Sequence, residues 1–497
     1  MASTPATVPA KPKLGLRSWM EAVLVECEHA AAGFEPDPVH DLRVALRRCR
    51  SLADGLMAMD PNPAWKEMKK AGKKVFRALG DLRDMHVMQE WIEKLSVKDD
   101  PVAMKLLEHV HAREAECKEE ALKDLQQFDR KQWRQWSRML PSRASRVRPG
   151  SIAFKHLALE KWTAAYDLHK RAMRSRSQVA LHELRIGIKR YRYTVENFLP
   201  REHAAWGTDL KELQDLLGEV HDLDILWATA MQVAAFPDTE ARTRWREKIT
   251  AERAKRLDRY REKMLGKQSL WRAWRAELPE GPALRAAAMT RLQVWASYFD
   301  PDFAHSQRVV RLALQLFDAL ARAGLLGDGP HHDSRLVLEA AALLHDVGRV
   351  KGDKSHQKDS FKLIREMAVP AGWTARELEL AAVVARYHRG ALPRFRNKSL
   401  QRLELPDRKV AARLSGVLRL ANRLDFRNGT SPQLQVDVRD HVITIHVPGY
   451  RPLERSAEDI AGAGHLLETI LRRPVLVRAT RPPHKPLDRS NLAVRTA

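Results

Sequence analysis

A chain of 497 residues exceeds what one hydrophobic core ordinarily organises, so two or three folding units are expected. Its 44% apolar content suits globular units, the lack of any unbroken apolar run of roughly 18 residues argues against a membrane span, and three cysteines cannot make a disulfide framework. The net charge of +24 calls for an acidic partner, whether nucleic acid, a membrane surface or a phosphate polymer.

The opening residues, MASTPATVPAKPK, have no apolar core or cleavage-like site, and a short unstructured lead-in is expected there rather than a secretory signal. With so few cysteines, a reducing, cytoplasmic compartment fits. From 14 to about 275 the pattern is that of long amphipathic helices with almost no strand signal. Breaks are expected at Pro36-Asp37-Pro38, Pro61-Asn62-Pro63, Pro141 to Gly150, and Pro200. The 141–150 segment divides this region into halves, about 14–140 and 151–275. After a boundary at Pro279-Glu280-Gly281-Pro282, helical periodicity runs from 284 to 430. Between Leu434 and Val447 the period changes to strict alternation about a turn at Arg439-Asp440, the signature of a hairpin. A helix over about 455–472 and a strand at Val475–Val477 complete a small α+β appendage spanning 431–480. A basic, proline-rich tail covers 481–497. The fold class expected is mainly α.

An internal repeat organises the first region. His40-Asp-Leu-Arg43-Val-Ala-Leu-Arg47-Arg48-Cys-Arg50 matches His182-Glu-Leu-Arg185-Ile-Gly-Ile-Lys189-Arg190-Tyr-Arg192 position for position. Leu79-Gly-Asp-Leu-Arg-Asp84 matches Leu217-Gly-Glu-Val-His-Asp222, and Lys73 and Lys211 each precede their glycine by the same interval. At roughly 100° per residue, His40, Arg43, Arg47 and Arg50 share one helix face, while Leu42, Leu46, Cys49, Ala53 and Leu56 share another. The second copy repeats this with His182, Arg185, Lys189 and Arg192 beside Leu184, Ile188, Tyr191, Val195 and Phe198. Like charges one turn apart cost a helix a few tenths of a kcal/mol per pair, and keeping them in register twice calls for a compensating anion. Arginine forks and mobile lysines together suit a run of phosphates. No aromatic side chain interrupts the row to stack bases, which makes general nucleic-acid binding the weaker reading.

This doubled signature resembles the CHAD family, whose members are paired helical bundles around a basic groove that binds inorganic polyphosphate. The resemblance covers about 14–275. It implies a binding set of His40, Arg43, Arg47, Arg50, Lys73, His182, Arg185, Lys189, Arg192 and Lys211, with Arg48 and Arg190 off the main row. His221 replaces Arg83 of the first copy, so the two lobes need not contribute equally.

In the second region, His305 lies early in a helix expected over Phe303–Ala323, His345-Asp346 closes an apolar helix, His388 ends another, and Asp425 ends a fourth. Imidazole and carboxylate together suit a divalent Mn, Fe, Ni, Co or Zn ion. The order His305, His345-Asp346, Asp425 resembles the ligand pattern of the HD superfamily of metal phosphohydrolases. The flanking text, Ala341 to Arg349, Ser355 to Ile364 and Arg386 to Pro393, is similar to the C-terminal domain of Ppx/GppA exopolyphosphatases. The actin-like ATPase-fold region in which those enzymes split the polymer is not visible here. Asp359 stands where a histidine of the relatives is expected, favouring one ion or an altered second one, and His331-His332 reads as a surface pair.

The resemblance implies metal ligands His305, His345, Asp346 and Asp425. Asp346, His388 and Lys351 would act in catalysis, and Arg349 and Lys358 would also steady developing charge. The expected protein binds polyphosphate or another phosphate polyanion in the cytoplasm, including polyphosphate granules, and hydrolyses a phosphate ester or anhydride, a nucleotide being one possible substrate. The alternative is a non-catalytic granule-binding scaffold with a degenerate HD module.

Overall fold

The computed structural model describes residues 15–175, 177–326, 333–426 and 433–480, and among them the chain forms eighteen α-helices and one three-stranded sheet. The expected lead-in, the His331-His332 pair and the basic tail lie outside those residues. The chain divides into two compact units, Met1–Val294 and Trp295–Ala497. No described helix is long and apolar enough to cross a membrane.

The first unit contains α1 (Leu16–Ala31), α2 (Pro36–Leu56), α3 (Ala64–Leu95), α4 (Pro101–Gln126), α5 (Arg130–Ala144), α6 (Ile152–Ser175), α7 (Gln178–Phe198), α8 (Pro200–Gln232), α9 (Thr239–Met264) and α10 (Leu270–Ala276). Helix α11 (Gly281–Phe299) crosses the boundary. Asp100, Asp129, Ser177 and Asp238 begin their helices as N-caps, each accepting a free backbone N–H at a benefit of about 1 kcal/mol. The break expected at Pro36-Asp37-Pro38 falls just before α2, and both prolines lie in its first turn. Pro141 departs from expectation, because it sits inside α5. The same helix buries Trp133, Trp136 and Leu140, which outweighs one lost backbone hydrogen bond, and the chain turns only after Ala144.

The repeat is realised in three dimensions. Matched helices of the two copies meet, α2 on α7 and α3 on α8. Leu42, Leu46, Cys49 and Ala53 of α2 and Leu184, Ile188, Tyr191 and Val195 of α7 are all buried, each larger side chain contributing about 2 kcal/mol. A Cβ on Gly55 would lie 2.1 Å from the Phe198 ring, so only glycine lets α2 approach α7 so closely. Asn197 Nδ2 donates to Ser51 Oγ at 3.0 Å, and Arg48 pairs with Glu196 at 2.5 Å across the same contact. These ties fix the rotation of both helices and therefore the direction of their charged faces.

The second unit contains α12 (Phe303–Arg322), α13 (Ser334–Leu344), a 3-10 turn (Val347–Lys351), α14 (His356–Glu366), α15 (Ala375–Arg386), α16 (Lys398–Gln401), α17 (Leu405–Leu424), β1 (Gln435–Arg439), β2 (Val442–Val447), α18 (Arg455–Leu471) and β3 (Val475–Ala479). Helix α13 packs against α12, α15 and α17, and its apolar run from Leu336 to Leu344 is the centre of this core. Strand β2 pairs antiparallel with β1 about Asp440-His441, one residue beyond the expected turn, and parallel with β3. Ile443, Ile445 and Val447 on one face of β2 are buried, as are Ile460 and Leu467 of α18. The protein is mainly α with a small α+β portion at its end.

Candidate functional site

Two chemically distinct centres emerge, one in each unit. In the first, the basic rows of α2 and α7 face each other. Burial, then Arg185 on its own helix, then Arg47, Arg43 and Arg50 on the other copy push the Lys189 ammonium down to about 8. Burial and then Arg47 lower Arg43 to about 10. Arg43 Nη1, Arg47 Nε, Arg50 Nη1 and Arg192 Nε are buried without a hydrogen-bond partner. Each such donor costs about 1–3 kcal/mol when nothing accepts it. The Phe76 ring offsets a little of this, lying 5.3 Å from the Arg43 guanidinium and 4.9 Å from that of Arg50.

The acidic residues of the Leu-Gly-x-x-x-Asp blocks sit within this field. Asp84 feels Arg43 and Arg185 from both copies, and Asp222 feels Arg185 and Asp84. Burial nevertheless raises both carboxyls, Asp222 to about 6. A cavity of about 280 Å³ on the second-copy side is lined by Arg185, Lys189, Gln214, Asp215, Glu219 and Asp222. The sequence flagged the aspartates only as repeat markers, and nothing in their spacing says that they face arginines of both copies.

Other expected residues fall less centrally. His182 packs against His221 with ring centroids 4.6 Å apart, so the departure at His221 adjoins the row itself. Burial and then Arg185 lower His221 to about 4. His40, Lys73 and Lys211 occupy exposed positions, and Arg48 serves the α2–α7 ion pair.

The second centre collects histidines from four places. His305 is in the first turn of α12, His345-Asp346 follows α13, His356 opens α14, and His388 lies two residues beyond α15. All five side chains are buried. His345, His356 and His388 each place Nδ1 against a carbonyl three residues back, Ala342 at 2.7 Å, Asp353 at 3.0 Å and Ala385 at 2.8 Å. A carbonyl can only accept, so each Nδ1 carries the hydrogen and each neutral ring presents Nε2 as a bare lone pair. Those three Nε2 atoms converge on Asp346 Oδ1 at 3.5, 3.0 and 3.6 Å. His356 Nε2 and His388 Nε2 are themselves 3.2 Å apart.

Acceptors brought together in this way suit a shared proton or a metal ion, and backbone bonds that fix the tautomer in this sense are common in metal-binding histidines. The donor set therefore fits a metal ion, in two groups that share Asp346: His305, His345 and Asp346, and Asp346, His356 and His388. Burial raises the Asp346 carboxyl, but when the imidazoles carry protons in place of an ion, His345, His356 and His388 outweigh it and hold it well below the ordinary carboxylate range. Burial and His345 hold His388 well below its usual value.

Gly348 fixes the spacing. A Cβ there would meet His356 O at 2.2 Å and Ser360 N at 2.4 Å, while Ser360 Oγ bridges His345 O and Gly348 N at 2.7 and 2.9 Å.

Of the remaining expected residues, Asp425 lines the cavity with His305 Nδ1 2.5 Å away; it is in neither group, and its oxygens also accept from Arg308 Nε and Nη2 at 2.8 and 2.9 Å. An arginine one helical turn after His305 matches this carboxylate fork to fork, and no motif in the sequence marks that pairing. Lys351 and Lys358 are exposed and do not line the cavity of about 300 Å³ at this centre, because the 3-10 turn and α14 point them outward. The cations that do line it are Arg349, Arg389 and Arg423. Finally, His356 joins the centre from the stretch in which Asp359 stands where a further histidine is expected. Asp359 does not line the cavity.

The molecule thus pairs a duplicated helical unit bearing a buried cationic interface with a helical unit bearing a His/Asp centre suited to metal. Comparison with known families agrees with this division. Residues 16–231 match the family model of the CHAD domain, and residues 284–442 match domain III of the Ppx/GppA phosphatases. A search of curated proteins finds no match to the chain.

Proposed function

We propose that the chain is a polyphosphate-binding protein whose second unit is an HD-type, metal-dependent phosphohydrolase acting on a phosphate ester or anhydride. The observation that carries this reading is the set of buried, unpartnered guanidinium N–H groups on the facing rows of α2 and α7. Such donors are satisfied when phosphate oxygens lie between the rows, and a repeating anion meets both copies of the repeat. Arg43, Arg47, Arg50, Arg185, Lys189 and Arg192 form the inner contacts. His40, His182, Lys73 and Lys211 extend them outward, where phosphates are only partly stripped of water.

In the second unit His305, His345, Asp346, His356 and His388 would hold divalent Mn, Fe, Ni, Co or Zn. An ion held there supplies Lewis-acid activation of a phosphoryl group and of water. The protein's own part is to fix the imidazoles through their backbone carbonyls, to keep Asp346 ionised, and to place Arg349, Arg389 and Arg423 where negative charge grows on phosphorus-bound oxygens. A cytoplasmic location at polyphosphate granules follows from the proposed ligand.

The arginine clamp on Asp425 favours a second reading, in which this centre is degenerate and the chain is a polyphosphate scaffold. One variant separates the two. In the first reading Asp346→Ala removes the oxygen shared by both donor groups, so bound manganese measured by elemental analysis falls to about a tenth of the natural level or less. Phosphate release then stops while polyphosphate affinity stays within about twofold. In the second, natural protein and variant release no phosphate alike. Failure of the full chain to bind polyphosphate would overturn both.

A further inference from the structure

We infer that the turn at 394–397 is a contact for single-stranded nucleic acid, its Phe395 ring stacking on a base while the arginines on either side grip the phosphates. Between His388 and Leu403 the chain carries five cations, Arg389, Arg394, Arg396, Lys398 and Arg402, and no aspartate or glutamate. Arg402 is taken up by Glu379 at 2.8 Å. Arg394, Arg396 and Lys398 are exposed and, among the described residues, enter no ion pair. Phe395 stands between two of them, 53% exposed, with no ring of the described residues packed on it.

The backbone holds that display in place. Arg394 N donates to Asn397 Oδ1 at 2.6 Å and Asn397 N donates back to Arg394 O at 2.8 Å, so Phe395 and Arg396 occupy the central positions of a doubly closed turn. Leu400 and Leu403, both buried, anchor the chain beyond it, and the hydroxyls of Tyr387 and Ser399, 2.7 Å apart, tie it back to the end of α15. Central turn positions ordinarily take proline, glycine or a small polar residue, and no packing within the fold accounts for a large ring there. An aromatic group already fixed in place loses little freedom on binding. Every base has a face to lay on such a ring, and guanidinium forks suit phosphodiester oxygens. A duplex keeps its bases stacked on one another and leaves the ring without a partner. A lipid surface calls for a broad apolar face, whereas this one ring is flanked by charge. Polyphosphate can meet the arginines but brings nothing for Phe395 to stack on.

The test compares two ligands on the full chain without added metal: a fluorescein-labelled oligouridine RNA of about 15 nucleotides, read by anisotropy, and polyphosphate, read by calorimetry. The rows of α2 and α7 attract any polyanion, so the difference between the ligands is what reports on the turn. Phe395 is exposed, and its variants should melt within about 2 °C of the natural protein. Phe395→Ala should weaken RNA binding about tenfold and Phe395→Trp should restore it, while polyphosphate affinity moves by less than about twofold. Arg394→Ala combined with Arg396→Ala should lower the slope of log affinity against log salt for RNA by about 1.4, two phosphate contacts at about 0.7 each. RNA affinity indifferent to Phe395→Ala, an equal loss for RNA and polyphosphate, or a salt slope unmoved by the arginine pair overturns the inference. Vesicles of phosphatidylglycerol and phosphatidylcholine captured through Phe395 in place of RNA would make the turn a membrane contact and overturn it as well.

Discussion

Replacing Lys189 with methionine should separate binding from folding in opposite directions. The side chains are similar in length, so packing against α2 is largely kept, but the charge is removed. Within the fold the ammonium falls from 10.5 to about 8, under burial and the charges of Arg185, Arg47, Arg43 and Arg50. At about 1.4 kcal/mol per pH unit, that fall amounts to about 3 kcal/mol held against the charged form. Water reaches part of the ammonium and its neighbours relax when it is gone, leaving about 1–2 kcal/mol to appear as added stability. For a unit of this size this is a rise in Tm of about 2–8 °C.

The sign depends on pH. At pH 7 folded and unfolded chains both hold the proton, and the whole penalty is present. Between 8 and 10.5 the folded chain sheds its proton first, so the natural protein gains stability with rising pH and the gap to Lys189→Met closes. Polyphosphate affinity should meanwhile drop about 10–100-fold, the loss of one charged hydrogen-bonding partner. Differential scanning calorimetry at pH 7 and 10, with binding calorimetry at pH 7, reads both halves. A variant that melts lower at pH 7, or binds within twofold of the natural protein, would refute the claim that these cations are held in mutual repulsion that a bound anion relieves.

Asp222, raised by burial to about 6, carries the opposite pH signature: its penalty is present above 6 and fades as pH falls toward 3.8. Asp222→Asn should therefore stabilise at pH 7.5 but not at pH 4 in urea titrations. The affinity of the natural protein for polyphosphate should rise between pH 7.5 and 5.5, and the variant should flatten that rise. Gly348→Ala drives a methyl into His356 O and Ser360 N, and should cost about 3 kcal/mol or more in the second unit's calorimetric transition. A Tm within about 2 °C of the natural protein would count against the close approach described for that turn. Arg48→Ala breaks the ion pair with Glu196 and should cost about 1 kcal/mol in denaturant melts while leaving polyphosphate affinity within about threefold, unlike Arg47→Ala.

The parts legible from sequence were those written as periodicity. The apolar faces of α2 and α7, the matched rows beside them and the hairpin of β1 and β2 each repeat at a spacing that only one secondary structure satisfies. What escaped was whatever depends on two distant segments meeting at atomic range. Arg48 and Arg50 are both arginines on one helix, yet one is neutralised by Glu196 and the other is not, and nothing local to α2 distinguishes them. Asp425 was read as a ligand from its place in an ordered motif, but motif order does not show that Arg308 grips both its oxygens. The resemblance implies a catalytic Lys351, whereas the 3-10 turn after Asp346 turns the lysine outward and leaves Arg349 at the cavity.

His356 is the most telling case. Its signal is present, because a histidine opening the helix that follows the His-Asp pair is visible, yet sequence alone does not separate it from Asp359 one turn later. The backbone decides between them. The contact of Gly348 with the first turn of α14 brings residue 356 toward Asp346 and turns residue 359 away. A ligand in such a centre is selected by the carbonyl that holds its Nδ1 as much as by its own identity. A histidine moved to position 359 would have the right chemistry and no means of aiming it.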